Sequence, residues 1–200
     1  MIYLRNLVLA VVCCLIFNCG SDDGDTNEDI CGTYPAWESS DYVLPFPVGN
    51  TFRISQANCT NASHQGTLRF SYDIEMPFGS PVTAARDGVI LAVRDSQPAG
   101  ARGLTASNWV QIRHNNGLVS EYVHLAQNSA RFSAGQQVVA GDTIAFTGDT
   151  GDVGSFPHLH FDINPCANNL ACDTRPVTFR NTTANPDGLI FNTHYEALPF

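Results

Sequence analysis

Short stretches of alternating or continuous apolar residues run along the chain, and glycines separate them. Such stretches are typical of β-strands with a buried face, and no segment has the period of a long amphipathic helix. Asn115-Asn116-Gly117 predicts a hairpin turn, and Gln127 to Gln136 has room for one helical turn. The pattern therefore predicts an all-β, mostly antiparallel domain with strands at residues 68–74, 88–93, 108–113, 118–124, 138–147 and 158–163.

The first residues have the pattern of an export signal. Arg5 supplies a positive start, and Leu7 to Phe17 is an apolar run too short to span a bilayer comfortably. We expect residues 1–18 to be a signal peptide. Cys19, with its acidic, glycine-containing continuation, resembles the start of a bacterial lipoprotein, although Asn18 stands where such signals usually carry a small residue. The alternative is an ordinary cleaved signal peptide with an incidental cysteine.

On the lipoprotein interpretation the chain has three parts. Residues 1–18 are removed, residues 19–33 are a lipidated cysteine with an acidic flexible tether, and residues 34–200 are the folded domain. The protein would be exported and would face the periplasm or cell wall, with the lipid on Cys19 as its only contact with a membrane. The tail at residues 173–200 shows no regular pattern, so we expect loop-rich extensions at both ends of the domain.

Four cysteines remain once Cys13, Cys14 and Cys19 are set aside, and an even number in an exported protein indicates disulfides. Three pairings are possible. We favour Cys166 with Cys172, which closes a short loop, and Cys31 with Cys59, which would pin the N-terminal segment to the domain. A free thiol or a zinc-ligand role for Cys166 is the alternative.

The charge balance excludes several classes of function. Nineteen acidic residues face ten basic ones, and all ten are arginine. No basic stripe is present, so nucleic acid is excluded as a partner. The chain contains no lysine, which excludes Schiff-base catalysis, a lysine general base and a biotinylated or lipoylated carrier domain.

Two histidines indicate a metal site. His158 and His160 are separated by one residue in a predicted strand, so both side chains point to the same face. Imidazole and carboxylate groups together suit zinc, and three protein ligands with one open position make a catalytic zinc site.

Several further motifs accompany this pair in a fixed order. They are Ser63-His64, Tyr72-Asp73-Ile74, the stretch from Met76 to Val89, Tyr122-x-His124-Leu125, the glycine-containing block from Gly135 to Gly151, and Pro157-His158-Leu159-His160-Phe161. Together they resemble the lysostaphin-type zinc metallopeptidases, and the resemblance covers residues 64–163. Members of that family are peptidoglycan endopeptidases whose small β-rich domain has a duplicated hairpin core.

The resemblance implies a role for each of five residues. His64, Asp73 and His160 would be the ligands of Zn2+, and His124 and His158 would be the catalytic pair. The implied activity is hydrolysis of peptide bonds in the stem or cross-link peptides of peptidoglycan through a metal-activated water. A neutral imidazole can accept the proton of that water, and a second can stabilise the oxyanion or protonate the leaving amine.

The chain departs from the family pattern in one spacing. Eight residues lie between His64 and Asp73, whereas many members have three, and a branch of the family has the longer spacing. Without His64 the metal would be held weakly. The domain would then be a catalytically silent cell-wall-binding or activator module, which is the alternative function. A D-alanyl-D-alanine carboxypeptidase also uses a His, Asp and His set, but it predicts a different spacing.

Three further polar residues have less specific interpretations. Asp162 shares the strand face of His158 and His160, so it either orients a ligand or is a solvated carboxylate. His114 precedes the predicted turn and matches a histidine often seen at that hairpin in the family, so a structural role is favoured. His194 lies in the tail without any supporting motif.

Overall fold

The structure is a computed structural model that describes residues 31–60, 62–154, 156–167 and 171–200. The signal peptide, the lipidated cysteine and most of the tether predicted from the sequence lie outside these residues. Three 3-10 turns occur, at Trp37–Ser39, Gly66–Leu68 and Leu104–Ala106. The ten strands are β1 (Thr51–Gln56), β2 (Tyr72–Glu75), β3 (Pro81–Thr83), β4 (Gly88–Arg94), β5 (Trp109–Arg113), β6 (Val119–Val123), β7 (Gln137–Val138), β8 (Thr143–Phe146), β9 (Leu159–Asn164) and β10 (His194–Glu196).

Eight of these strands form one sheet in the order β10-β1-β2-β9-β6-β5-β4-β7, and β3 pairs separately with β8. Every pairing is antiparallel, which confirms the predicted all-β class. The predicted hairpin joins β5 to β6. His114 donates its N–H to the Leu118 carbonyl at 2.9 Å, and Gly117 takes the positive φ of 84° that the turn requires.

One face of the large sheet carries an aromatic core. The ring centroids of Tyr122 and Phe161 are 5.2 Å apart, and those of Tyr72 and Phe179 are 5.9 Å apart. All four side chains are fully buried, and burial of each stabilises the fold by roughly 1.5–3 kcal/mol. Because side chains alternate along a strand, the residues that adjoin these aromatics in β2, β6 and β9 point to the opposite face.

The two ends of the described chain pack against each other. Leu44 donates its N–H to Asn181 Oδ1 at 2.7 Å, and Arg180 donates its N–H to the Tyr42 carbonyl at 3.0 Å. Most of the tail is irregular, as expected, but β10 lies in it and pairs with β1 at the edge of the sheet. None of the helical segments in the described part of the chain has the length and hydrophobicity of a membrane span.

Some predicted elements were wrong in extent. The strand expected at residues 68–74 begins only at Tyr72, because Arg69 N–H bonds to the Gly66 carbonyl and Ser71 N–H to the Leu68 carbonyl in a tight turn. The strand expected at residues 138–147 is split into β7 and β8 by a turn at Gly141, which has a φ of 90°. Residues 127–136 form turns and no helix. The strands β1, β3 and β10 were not predicted.

Both favoured disulfides are confirmed. Cys31 is bonded to Cys59 and Cys166 to Cys172, with Cα atoms 5.7 and 6.2 Å apart. The alternative of a free thiol or zinc ligand at Cys166 is therefore wrong. Cys31, placed by prediction in the flexible tether, is covalently tied to the loop that follows β1.

Candidate metal centre and active site

The five residues singled out from the sequence come together on the polar face of the sheet. Asp73 in β2 and His160 in β9 are direct register partners, and Val123 in β6 is the partner of His160 on its other side. The backbone pairing therefore places His124, the residue after Val123, beside His160. His158 immediately precedes β9, and His64 reaches the same point from the loop between β1 and β2.

Asp73 is the centre of the cluster. Its Oδ1 lies 2.9 Å from His160 Nδ1, 3.2 Å from His64 Nε2 and 3.6 Å from His158 Nε2. One ligand atom from each of His64, Asp73 and His160 can be chosen so that all lie within 4.8 Å of one another. His64 is fully buried, whereas Asp73 and His160 retain a small exposed fraction.

This donor set fits zinc. Two imidazole nitrogens and one carboxylate oxygen make a three-ligand set of the kind found in catalytic zinc sites, where the fourth position is open. The disulfides occupy all four cysteines of the described chain, so no thiolate competes for the ion. The exposed side of Asp73 and His160 faces a cavity, which would supply the open position.

In each histidine, one ring nitrogen has a hydrogen-bond partner outside the cluster, and this partner fixes which nitrogen faces the cluster. Three histidines place Nδ1 against a backbone carbonyl: His64 at 3.1 Å from Ala57 O, His124 at 2.8 Å from Thr150 O, and His158 at 3.0 Å from Phe156 O. Since a carbonyl oxygen only accepts, Nδ1 donates and Nε2 is directed inward. His160 is reversed, with Nδ1 inward and Nε2 3.3 Å from Asp162 Oδ2.

Burial and neighbouring charges set the protonation of three of these groups. Burial would raise the pKa of Asp73, but hydrogen bonds from His160 and His64 outweigh it and hold that pKa well below its usual range. Burial lowers the pKa of His124 to about 3, assisted by His158 and His160, so His124 is neutral at physiological pH. Burial would also lower the pKa of His160, but Asp162 and Asp73 raise it to about 10.

A strained turn positions His124. This residue has a φ of 66°, in the left-handed region that non-glycine residues seldom adopt. The carbonyl of His124 accepts the N–H of Gly148 at 2.7 Å. A Cβ at Gly148 would lie 2.5 Å from the backbone of Ala126, so only glycine permits this approach. Thr150, two residues later, supplies the carbonyl that holds the imidazole.

Gln56 links the loop that carries His64 to β2. The side-chain amide of Gln56 is oriented with its oxygen toward His64 and its nitrogen toward Asp73. In this orientation Gln56 accepts the N–H of His64 at 2.8 Å and donates to Asp73 Oδ2 at 3.3 Å. Gln56 also lines the cavity, which has a volume of about 470 Å³. Ser107, Val153 and the largely exposed ring of Phe156 line it as well.

The remaining polar candidates lie elsewhere or behind the cluster. His114 bonds to Asp87 O at 2.9 Å and Ser120 Oγ at 3.0 Å, which agrees with a structural role. His194 is exposed in β10, away from the cavity. Asp162 is completely buried beside His160, so the interpretation of a solvated carboxylate is wrong.

Sequence reasoning missed the backbone carbonyls that orient the histidines and the bridging amide of Gln56. A carbonyl has no side-chain signature, so the roles of Ala57 and Phe156 could not be found. Thr150 lies in the glycine-containing block from Gly135 to Gly151, but nothing in that block indicated that its carbonyl would contact His124. Gln56 lies in β1, whose alternation of Phe52 and Ile54 with polar residues was available in the sequence.

The chain matches known proteins over a segment that contains four of the five residues of this cluster, Asp73, His124, His158 and His160. The model of peptidase family M23 matches residues 65–173, beginning one residue after His64. Peptidoglycan DD-endopeptidase ShyA of Vibrio cholerae is 34% identical over 122 residues, which are 59% of this chain and 26% of the relative. DD-carboxypeptidase/endopeptidase Mpg of Neisseria meningitidis serogroup B is 38% identical over 99 residues, which are 50% of this chain and 20% of the relative. The chain thus spans about a quarter or less of these relatives.

A solved structure shares the fold. The M23 metalloprotease pseudoalterin, from the deep sea, superposes with a TM-score of 0.52 at 20% identity, covering 77% of this chain and 85% of that chain. At this identity the likeness supports the architecture of the sheet and carries no information on substrate.

Proposed function

The chain belongs to peptidase family M23, and from that premise we propose that it is a zinc-dependent endopeptidase that hydrolyses peptide bonds in the stem or cross-link peptides of peptidoglycan. The observation that carries the proposal is the convergence of His64, Asp73 and His160 around one point, with His124 and His158 beside it. Relatives named as peptidoglycan DD-endopeptidases support the substrate class.

In this proposal His64 Nε2, Asp73 and His160 Nδ1 hold the metal. A zinc ion there would supply Lewis-acid catalysis and lower the pKa of a water. The low pKa of Asp73 keeps it ionised, as a ligand must be. The short contacts that Asp73 Oδ1 makes to both histidine nitrogens are the contacts that a shared cation would replace.

His124 and His158 act on the substrate. Their ring centroids are 4.7 Å apart, and both side chains line the cavity. His124 is neutral and directs Nε2 inward, so it is suited to accept a proton from the attacking water. His158 donates Nδ1–H to the Phe156 carbonyl, and with a second proton on Nε2 it would donate to the charge that develops on the scissile carbonyl oxygen.

A peptide reaches these groups through the cavity. Leu68, Val153 and Phe156 contribute an apolar part of its lining. An extended stem peptide can lie along this apolar part with its carbonyl toward His124 and His158. Because the substrate is a cell-wall polymer, the proposal also places the protein outside the cytoplasm, and the lipid anchor at Cys19 stays a prediction.

The test is digestion of purified peptidoglycan. The purified protein is incubated with sacculi, with a chelator, and with the chelator followed by zinc, and released fragments are identified by mass spectrometry. We expect cleaved cross-links or stems that the chelator abolishes and zinc restores. A protein that binds sacculi and releases no fragment would instead be the silent wall-binding module, and the proposal would be wrong.

Two variants separate catalysis from metal binding. His124→Ala should retain about one zinc per chain by metal analysis and lose at least about a hundredfold in activity, as for loss of a general base. His194→Ala is the matched control, because it removes an exposed imidazole far from the cavity. Full activity of His124→Ala would contradict the assignment of the base.

A further inference from the structure

We propose that Asp162 is a positioning residue for His160: it holds the Nε2–H of that imidazole so that the Nδ1 lone pair is presented to the metal. This inference rests on the proposed function only in taking His160 as a metal ligand. It assigns a role to a buried carboxylate that makes no contact with the cavity.

The geometry requires a choice of tautomer at His160. Nδ1 lies 2.9 Å from Asp73 Oδ1, and Nε2 lies 3.3 Å from Asp162 Oδ2. A metal can bind only a nitrogen lone pair, so binding to His160 would displace the proton of one ring nitrogen and leave the N–H of the other. Asp73 Oδ1 also faces His64 Nε2, whereas Asp162 Oδ2 faces His160 alone among the described residues. The proton is therefore retained on Nε2, and Nδ1 is the ligand.

His160 has a support of a different kind from the other histidines of the site. His64, His124 and His158 each donate Nδ1–H to a backbone carbonyl, while His160 donates to a carboxylate. A carboxylate partner both orients a ligand imidazole and raises its basicity, and loss of such a partner typically weakens metal affinity by about 10–100-fold. Asp162 thus raises the basicity of the His160 imidazole, whose position is already fixed by the two neighbouring strands.

Neighbouring side chains hold Asp162 in place. Asn164, next on the same face of β9, donates its amide N–H to Asp162 Oδ1. Glu121 is the direct cross-strand partner of Asp162 in β6, and its Oε1 accepts from Gln111 Nε2 at 3.2 Å. Burial, and then the charge of Asp162, raise the pKa of Glu121 to about 8. Glu121 is therefore protonated at neutral pH.

The test compares metal affinity in Asp162→Ala, Asp162→Asn and the matched control Ile163→Val. Ile163 is the next residue of β9, and its side chain is buried in the core on the opposite face, so trimming it reports the cost of disturbing the strand while the hydrogen bonds of Asp162 are kept. Zinc affinity is measured by competition with a chromophoric chelator. Absorption spectra of the cobalt-substituted proteins report the ligand field, and far-UV circular dichroism with urea unfolding checks the fold.

We expect Asp162→Ala to weaken zinc binding by about 10–100-fold and to alter the cobalt spectrum. Asp162→Asn keeps an oxygen acceptor without the charge, so its loss should be smaller, about tenfold or less. Ile163→Val should change zinc affinity by less than about threefold and leave the cobalt spectrum unchanged. If Asp162→Ala does not fold, Asp162→Asn alone decides the question against the same control.

Two results would overturn the inference. The first is an Asp162 variant with unaltered zinc affinity and cobalt spectrum, and the second is an equal loss in Ile163→Val, which would indicate packing. Because metal binding is the readout, a zinc-binding protein without peptidase activity would overturn the proposed function alone. Failure of the unaltered protein to bind zinc would overturn both.

Discussion

The two histidines assigned to the metal are supported by different parts of the molecule. His160 lies in β9, in the middle of the large sheet, with β2 and β6 paired on either side. His64 lies in the loop of residues 57–71, whose described residues are irregular apart from a 3-10 turn at Gly66–Leu68. The family match includes His160 and begins just after His64.

A disulfide and several hydrogen bonds fix the position of the His64 loop, as pairing with β2 and β6 fixes the position of β9. Cys31 is bonded to Cys59, and Cys59 N–H bonds to the Arg69 carbonyl across the loop. Thr174, two residues after Cys172, accepts the N–H of Phe70 at 2.9 Å and donates its own N–H to the Thr67 carbonyl at 2.8 Å. A loop with eight residues between His64 and Asp73 thus becomes a fixed support. The N-terminal extension and the tail contribute these bonds, so both help to position His64.

The largest effect should come from removing either ligand. We expect His160→Ala and His64→Ala each to weaken zinc binding by more than about a hundredfold, beyond the range for outer supports, and to abolish peptidoglycan cleavage. Metal analysis after dialysis and chelator competition measure the first effect, and fragment release measures the second.

His194→Ala again serves as the control with unchanged zinc content. If His64→Ala retains stoichiometric zinc and activity, His64 is not a metal ligand. The loop and the strand would then not share the metal between them. An inactive His160→Ala protein with full zinc content would contradict the assignment of His160 as a metal ligand.

Removal of the disulfides should have the next largest effect. The two bonds span 28 and 6 positions of sequence, so chain entropy predicts losses of about 3.5 kcal/mol for Cys31→Ser/Cys59→Ser and about 2.5 kcal/mol for Cys166→Ser/Cys172→Ser. Because Cys59 lies five residues before His64, we also expect the first variant to bind zinc more weakly. Urea unfolding in the presence of a chelator gives the stabilities, and chelator competition gives the affinities.

The second variant is the control for loss of a covalent bond. Equal zinc affinity in the unaltered protein and in Cys31→Ser/Cys59→Ser would mean that hydrogen bonds alone hold the loop. The difference between loop and strand would then not depend on the N-terminal extension.

A smaller effect should appear on the strand side, at Glu121. Its pKa is raised by burial and by Asp162 from 4.5 to about 8, so between these values the folded protein holds a proton that the unfolded chain has lost. Stability therefore falls as pH rises through this window. A pKa difference of one corresponds to about 1.4 kcal/mol, so between pH 5 and pH 7 the protein should lose about 2 kcal/mol relative to Glu121→Gln.

Urea unfolding of the two proteins at pH 5 and pH 7 measures this difference. Glutamine matches protonated glutamate in shape and cannot ionise, so every other titrating group cancels in the comparison. Identical pH dependence in the two proteins would show that Glu121 ionises as freely in the sheet as in the unfolded chain.

Much of the strand side could be predicted from the sequence. Alternation and the Pro-His-Leu-His-Phe motif place His158 and His160 correctly, and the Asn-Asn-Gly turn fixes the hairpin that leads to His124. These signals are local and independent of distant residues. The strand β10 has three residues and forms because β1 offers it a partner, so no local pattern indicated it.

The loop side was predicted less well for the same reason. Leu68, Phe70 and Tyr72 alternate as in a strand, but the chain turns there because residues 67 and 70 bond to Thr174 in the tail. Both disulfide pairings were expected, but their position around the His64 loop was not. The sequence left two interpretations of Asp162, and only its burial in the folded sheet separates them.

The pairing of β2 with β9 has a kinetic consequence. It joins Asp73 to His160, which are 87 residues apart in the chain. Sheets built on such distant pairings fold slowly, in roughly milliseconds to seconds, since long loops must close before the contacts form. Until then only His64 and Asp73 are near each other in sequence, and two donors bind zinc poorly. The rate at which the protein acquires high zinc affinity during refolding should therefore report closure of the sheet at β9.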